Sequence, residues 1–246
     1  MSASVGRDFM RRTRYRFLSP PPQARGERPP PLELAAPEGA KRLALPQPDA
    51  LDLAPLDFAK LLRERASLRE YSREPLSLDE LAFLLWATQG VKAVDAPYAT
   101  FRTVPSAGAR HALEAFVVAN RVEGLAPDLW RYMALSHEIV LVDDARDVAA
   151  RAVEACHGQR FVASSAATVV WAAVPERMTW RYSERGWRYL LLDAGHACQN
   201  LYLAAEAMGG GACAIAAFDD AALDRLLGLD GETAFAIYVA AVGKRP

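Results

Sequence analysis

The stretch Arg65-Ala66-Ser67-Leu68-Arg69-Glu70-Tyr71 is the most informative part of this 246-residue sequence. It places two guanidinium groups four residues apart, with a serine hydroxyl midway between them, directly after a short amphipathic segment. Guanidinium groups bind phosphate oxygens through paired hydrogen bonds, and a serine hydroxyl adds a further one. Taken alone, the run is also typical of an arginine-rich helix end whose charges lie in water. The motifs that follow it must therefore decide between these interpretations.

Three further motifs follow in a fixed order. They are the turn Pro105-Ser106-Ala107-Gly108, the glycine-rich run 209–219 and the pair Lys244-Arg245. The ordered set covers roughly residues 56–245 and resembles the nitroreductase family of flavoproteins. The closest likeness is to the SagB-type dehydrogenase branch, which includes the thiazole- and oxazole-forming peptide maturases. The resemblance implies an α+β sandwich, with helices flanking a mixed central sheet, that forms a homodimer with the flavin at its interface.

The resemblance implies that flavin mononucleotide (FMN) is the cofactor. Arg65 and Ser67 would lie at its phosphate and ribityl end. Arg69 would lie near the pyrimidine edge of the ring, where a cation stabilises the negative charge that reduction creates. Many family members have an amide side chain directly after the second motif, but this chain has Ala109. The polar edge of the ring is therefore left to backbone groups, Arg69 or Arg110.

The other motifs would contact the remaining parts of the cofactor. The turn 105–108 would lie against the ring, because small residues let backbone approach a planar ligand closely. The backbone amides of Ala216 and Ala217 would face flavin N5 and O4. Lys244 and Arg245 would complete the phosphate site, although a solvated basic tail is an equal alternative.

The pair Arg181-Tyr182 supplies the candidate catalytic residues. Azoline-oxidising members of the branch resemble Lys-Tyr-Gly-Glu-Arg at this place, and their Lys-Tyr pair is implicated in catalysis. Here arginine replaces the lysine and Ser183 replaces the glycine. Arginine cannot act as a base, since it does not lose its proton, whereas Tyr182 can still donate one. Ordinary contacts at the start of a helix are the alternative role for the pair.

Composition excludes several functional classes. The 29 basic and 30 acidic residues balance, so no overall positive field indicates nucleic acid binding. The apolar segments are too short or too interrupted to span a membrane. The three cysteines are odd in number and lack metal-ligand spacing, as do the scattered histidines, so we expect no metal site. Arg11-Arg12 is followed by prolines rather than an apolar segment, which predicts a cytoplasmic protein.

Proline content divides the chain in two. Ten of the 16 prolines lie between Pro20 and Pro55. Their fixed φ and missing amide donors exclude a helix interior or a central strand. The pattern predicts an extended arm over residues 1–55, either disordered or laid across a partner, and an FMN-binding domain over 56–246.

Periodicity and capping residues predict the elements of that domain. Helices are expected at 77–90, 144–156, 186–208 and 219–227, the first opening with a Ser77–Glu80 capping box and the second capped by Asp144. Strands are expected at 114–120, 129–132, 138–142, 166–174, 212–217 and 235–242. The nearly continuous apolar run 166–174 is typical of a strand buried on both faces. Small residues on the helix 186–208, Gly195, Ala197 and Ala204, favour close packing across a dimer.

Together these features predict an FMN-dependent oxidoreductase that transfers hydride at flavin N5 in two steps, with ping-pong kinetics. An NAD(P)H donor would suit reduction of nitro compounds or quinones. In an azoline dehydrogenase, a thiazoline or oxazoline peptide would be the donor and oxygen the acceptor. Two non-catalytic alternatives are a flavin-binding or partner-docking protein and a structural homodimer that has lost the cofactor.

Overall fold

The computed structural model describes residues 4–246, so the first three residues of the predicted arm lie outside the described part. Its strands are β1 Arg42–Ala44, β2 Val91–Asp95, β3 Ala99–Arg102, β4 Leu113–Val118, β5 Leu129–Met133, β6 Glu138–Asp143, β7 Ala167–Ala173, β8 Gly210–Ile215 and β9 Phe235–Lys244. Strands β2 and β3 pair as a separate hairpin. The other seven form one sheet in the order β1-β6-β5-β4-β7-β9-β8.

Every ladder of the large sheet is antiparallel. The α+β class is therefore confirmed, but the prediction of a mixed sheet is wrong. Short connections such as the one between β5 and β6 join antiparallel neighbours, whereas parallel neighbours need a long crossover. Parallel pairing occurs only as single bridges in the described residues, at Ser67–Ala212 and Leu76–Val122.

Helices cover both faces of this sheet. They are α1 Val5–Arg12, α2 Phe58–Glu64, α3 Leu78–Gln89, α4 Val148–Ala155, α5 Phe161–Ser164, α6 Pro175–Tyr182, α7 Gly186–Ala207 and α8 Asp220–Leu227. Side chains of α3, α6 and α7 form one core with the sheet, and those of α4, α5 and α8 form the other. The result is a three-layer sandwich.

Strand β7 confirms the interpretation of the continuous apolar run. Val169 and Trp171 point into one core, and Val170 and Ala172 into the other. Burial of each large side chain contributes about 1.5–3 kcal/mol. A strand with both faces covered therefore carries apolar residues at nearly every position, and Thr168 is the exception in β7.

The predicted helix boundaries are observed, with one exception. The capping box is present, because Ser77 Oγ accepts the Glu80 amide at 3.1 Å while Glu80 Oε2 accepts the Ser77 amide at 2.8 Å. Helix α4, however, begins at Val148 with Asp147 at its N-cap, not at Asp144. The Asp143 carboxylate accepts the Ala145 amide at 2.9 Å, which is consistent with a turn before the helix.

The small residues of α7 do not form the predicted outer face. Ala197 and Ala204 are buried in the core of their own chain, and only Gly195 is exposed. The solvent-facing side instead carries Leu191 and Leu192, each 58% exposed. Close packing of α7 against α3 and the sheet uses the small residues internally.

The proline-rich segment lies across its own chain. Glu114 of β4 accepts the Leu34 amide at 2.9 Å and is paired with Arg177 Nη2 at 2.6 Å. Arg177 Nε also donates to the Pro31 carbonyl at 2.8 Å, and Arg131 Nη2 donates to the Ala35 carbonyl at 2.7 Å. Buried side chains thus satisfy the backbone of an arm that has few partners of its own, and they attach it to its own chain.

Glu114→Ala should lower the free energy of unfolding by about 3–5 kcal/mol, because it leaves the buried Arg177 guanidinium without its counter-ion. Chemical denaturation followed by circular dichroism measures the change. Glu27→Ala is the matched control, since Glu27 pairs with Arg25 on the exposed surface of the same arm and should cost less than about 1 kcal/mol. Equal losses in the two variants would contradict the anchoring role of Glu114.

Candidate functional site

The arginine-bearing motif runs beside the edge strand β8. Helix α2 ends at Glu64, and Arg65 follows as its C-cap. The next residues are extended, with Ser67 bridged to Ala212 and the Leu68 amide donating to the Ala212 carbonyl at 2.9 Å. The motif therefore leaves the helix at once, and its side chains are held along the edge of the sheet.

Tyr202 of α7 connects this motif to β8. Its hydroxyl accepts the Ala214 amide at 2.8 Å and lies 3.0 Å from Ser67 Oγ. The guanidinium of Arg65 stands 5.2 Å from the centre of the same ring. Tyr202 lies in the helix that the sequence predicts at 186–208, but none of the sequence motifs includes it. No local signal in the sequence connects it to a motif 135 residues away.

The two arginines of the motif and the two C-terminal basic residues differ in their charge partners. In the described part of the chain, neither Arg65 nor Arg69 forms an ion pair with a carboxylate. Lys244 pairs with Glu80 and, at 3.6 Å, with Glu74. Arg69 is exposed at the sheet edge. Burial raises the pKa of the Cys213 thiol on β8, and the charge of Arg69 acts against that rise. The Arg69 guanidinium is therefore close enough to β8 to influence this thiol.

Arg245 is held by Glu206 of α7. Its Nη2 atom lies 2.7 and 2.6 Å from the two carboxylate oxygens, and one of these oxygens also accepts the Ala66 amide at 3.3 Å. The side chain of Glu206 is only 6% exposed. The predicted phosphate role of Lys244 and Arg245 stays a prediction, and each would have to share its charge with an existing carboxylate.

The turn 105–108 lies against the candidate catalytic pair. Gly108 has φ +59°, and a Cβ built there would lie 2.5 Å from Tyr182 Oη and 2.9 Å from Arg181 Cδ. Ser106 Oγ accepts the His111 amide at 2.9 Å. Two motifs that are more than 70 residues apart in the sequence are thus in contact, and glycine is required at this approach.

Asp193 of α7 faces the other side of the same turn. Burial raises the pKa of its carboxyl above 3.8, while the Ser106 hydroxyl and the Ala107 amide oppose that rise. Its Oδ2 atom is buried and has no hydrogen-bond partner. The turn is therefore fixed between α6 and α7, next to a carboxyl group whose charged form is disfavoured.

The side chain of Arg110 does not lie where it could contact a flavin ring at this turn. It is completely buried, its Nε donates to the Arg177 carbonyl at 2.9 Å, and its guanidinium stands 4.7 Å from the centre of the Trp180 ring. Its neighbour His111 is also buried, and burial followed by the Arg102 charge lowers the pKa of His111 to about 3. Of the options for the polar ring edge, Arg110 is excluded, and Arg69 and backbone groups remain.

Ala216 and Ala217 follow the end of β8 and are exposed. The Ala217 carbonyl accepts from Gln159 Nε2 at 3.1 Å. Ala216 lines an apolar cavity of about 400 Å³. Both residues therefore directly follow the strand that the arginine motif runs beside, beyond the C-terminal end of β8.

The predicted residues form two groups within one chain. Arg65, Ser67 and Arg69 gather near Tyr202, whereas the turn 105–108 gathers near Asp193. Nine residues of α7 separate these two contacts, which is about 13 Å along the helix. One chain therefore does not bring the turn to the arginine motif.

The described residues contain no cluster of three or more histidine, cysteine, aspartate or glutamate side chains suited to hold a metal ion. Over the same residues, none of the helices has the length and apolar character needed to cross a membrane.

A helix-covered antiparallel sheet with a basic motif at its edge defines an α+β sandwich, and comparison with known proteins identifies the family. Residues 62–244 match the Nitroreductase family. A protein of Methanocaldococcus jannaschii, provisionally named a nitroreductase, is 35% identical over 72% of this chain and 86% of its own length. The chain belongs to the nitroreductase family and is a flavin-dependent oxidoreductase.

Solved structures show the same fold. A provisionally named nitroreductase of Ralstonia eutropha is 26% identical, covers 89% of this chain and 95% of its own, and has a TM-score of 0.67. An Anabaena variabilis protein reaches a TM-score of 0.68 at 24% identity, and this chain spans 42% of its length. A chain of the Escherichia coli microcin synthetase complex, with truncated pro-MccB17 bound, is 19% identical over 99% of this chain, with a TM-score of 0.63.

Asp193→Asn should raise the free energy of unfolding at pH 7. The pKa of the folded carboxyl lies above the usual 3.8, so its ionisation costs stability as the pH rises through that folded value. As the pH falls below 3.8 the carboxyl becomes largely protonated in both states, and most of the gain should disappear. Denaturant titrations at pH 7 and pH 3.5 measure the difference, with exposed Asp52→Asn as control. A gain that persists at the lower pH would contradict this account.

Proposed function

We propose that this protein is an FMN-dependent oxidoreductase whose cofactor is held along the β8 edge. The observation that carries the proposal is the pairing of two guanidinium groups free of carboxylates with the Ser67 hydroxyl beside one strand. Arg65 and Ser67 fit a phosphate dianion and the ribityl hydroxyls that follow it, and Arg69 fits the polar edge of the ring. FMN, when bound, supplies hydride transfer at N5, in which a donor leaves before an acceptor occupies the same cleft.

Different residues of this edge would contact different parts of the cofactor. Arg65 and Ser67 would hold the phosphate and ribityl end, and Arg69 the pyrimidine edge. Ala216 and Ala217 would offer backbone amides to the reacting side of the ring. Glycine is common at the second of these positions in the family, but an alanine amide can still donate.

We further propose a homodimer in which the turn 105–108 of a second copy completes the site. The separation of about 13 Å between the turn and the arginine motif along α7 supports this arrangement. The exposed Leu192 on the same helix supports it too, since a paired copy would remove this side chain from water.

Tyr182 and Arg181 would act on the substrate rather than on the cofactor. The Tyr182 hydroxyl stands beside Gly108, where it can donate a proton to a substrate held against the turn. Arg181 is exposed and would orient a carbonyl or nitro oxygen as a fixed cation. Since arginine keeps its proton, Tyr182 is the only member of the pair that can transfer one.

Arg65→Ala should weaken FMN binding about 10- to 100-fold, because charge-assisted hydrogen bonds to a phosphate contribute about 1.5–3 kcal/mol. The wild-type protein should purify yellow with one FMN per subunit, and titration of the apoprotein followed by flavin fluorescence measures the affinity. Arg63→Ala, two residues away on the exposed side of α2, is the matched control. Colourless wild-type protein that takes up no added FMN would refute the proposed function.

Tyr182→Phe should lower kcat about 100-fold with unchanged FMN content, because only the proton donor is removed. Arg181→Ala should chiefly raise KM, since it removes an orienting charge. Steady-state kinetics with NADH and a quinone or nitroaromatic acceptor measure both, with exposed Tyr98→Phe as control. Unchanged constants in both variants would return the pair to a packing role.

Azoline oxidation is the second candidate function. The microcin synthetase chain supports it only at the level of fold, including the N-terminal arm. Arg181→Lys tests it, because a titratable amine at this position should then permit oxidation of a thiazoline peptide. A flavin-binding protein without turnover is distinguished by a bound flavin that reduced nicotinamide does not bleach.

A further inference from the structure

We propose that helix α1 supplies one wall of a substrate subsite for a neutral planar ring; this deepens the proposed FMN function and rests on it. The subsite is the cavity of about 400 Å³ at the end of β8, and four of its walls are aromatic: Phe9, Trp187, Phe218 and Phe235. Trp187 and Phe235 are nearly parallel, with 6° between their planes and 6.0 Å between ring centres. This size suits a small ligand, and flat apolar walls favour a flat apolar ring.

The cavity adjoins the predicted reacting end of the cofactor site. Ala216 is the only residue predicted to contact the flavin that also lines the cavity, among the described residues. Trp187 stands 15 residues before Tyr202 on α7, about 22 Å along the helix from the Ser67 contact. A ring in the cavity would therefore lie beside the N5 side of the site and away from the phosphate end.

Charge at the rim selects against anions. Among the described residues 4–246, Asp220, the first residue of α8, is the one charged residue that lines the cavity. It is exposed and close to the cap residue Asp219, whose carboxylate accepts the Ala222 amide at 2.7 Å. A carboxylated ring would meet this negative charge, whereas a neutral quinone would not.

Helix α1 is fixed in place over the cavity. Thr13, at its C-terminal end, donates through Oγ1 to the Phe9 carbonyl at 2.6 Å. The same hydroxyl accepts Arg188 Nε at 2.6 Å, and the Thr13 carbonyl accepts Arg185 Nη1 at 3.1 Å. These bonds attach the start of α7 to the turn of α1 that carries Phe9.

This wall lies outside the segment that matches the Nitroreductase family. Helix α1 ends at Arg12, well before residue 62, where the match to the Nitroreductase family begins. None of its residues is buried, so it contributes little to the core that the family shares. Its half-buried Phe9 instead faces a cavity whose other walls come from α7, β9 and the segment after β8.

The test compares Phe9→Ala with Met10→Ala in the flavin-loaded protein. Met10 is the neighbouring residue on α1, is exposed and does not line the cavity. With NADH as donor, Phe9→Ala should raise KM for menadione, a neutral bicyclic quinone, about 10-fold, while kcat and FMN content stay unchanged. Met10→Ala should leave all three at the wild-type values. Asp220→Asn should lower KM for 4-nitrobenzoate and leave that for menadione unchanged.

A second readout does not depend on turnover. Menadione should quench tryptophan fluorescence in the wild-type protein, less so after Trp187→Phe, and with about 10-fold weaker affinity after Phe9→Ala. If the wild-type protein binds no FMN but these shifts are observed, the subsite stands and the proposed function fails. Identical menadione affinities in Phe9→Ala and Met10→Ala would overturn the subsite. Loss of FMN from Phe9→Ala would also overturn it, since the cavity would then hold the cofactor itself.

Discussion

Helix α7 and its packing across the sheet position the turn 105–108, the arginine motif and Arg245. Asp193 faces the turn 105–108, Tyr202 contacts Ser67 and Ala214, and Glu206 holds Ala66 and Arg245. At 22 residues, the helix is long enough to serve sites at both of its ends. Its register against β8 and β9 therefore fixes the distance between the arginine motif and the cavity, and any shift along its axis would move both together.

A second constraint comes from the charges buried under the proline-rich arm. Arg177 and Glu114 are 1% and 3% exposed, yet they face each other at 2.6 Å. Such a pair contributes little net stability over an apolar pair, but neither member can be buried alone. Their remaining hydrogen bonds go to the arm backbone at Pro31 and Leu34. The arm and the pair therefore require each other, which explains how a segment poor in amide donors is held in one conformation.

The sequence was sufficient where local rules determine structure. The run 166–174 indicated a strand with both faces buried, and the Ser77–Glu80 box located the start of α3, because apolar periodicity and capping act within a few residues. Contacts between distant residues could not be predicted. Ser67 meets Tyr202, and Gly108 meets Tyr182, only because the sheet order places their segments together. The burial of Ala197 and Ala204 is a further case, since a small residue favours close packing without indicating which neighbour is packed.

Glu206 limits how much positive charge the sheet edge can offer a phosphate. The Glu206 carboxylate, 6% exposed, lies 2.7 and 2.6 Å from Arg245 Nη2, so this pair adds no net positive charge to the edge. Lys244 is compensated in the same way by Glu80 and Glu74. In the proposed site, the attraction for the phosphate would then come chiefly from Arg65. The C-terminal pair instead attaches the end of β9 to α3 and α7, which keeps the neighbouring strand β8 in position to carry the arginine motif.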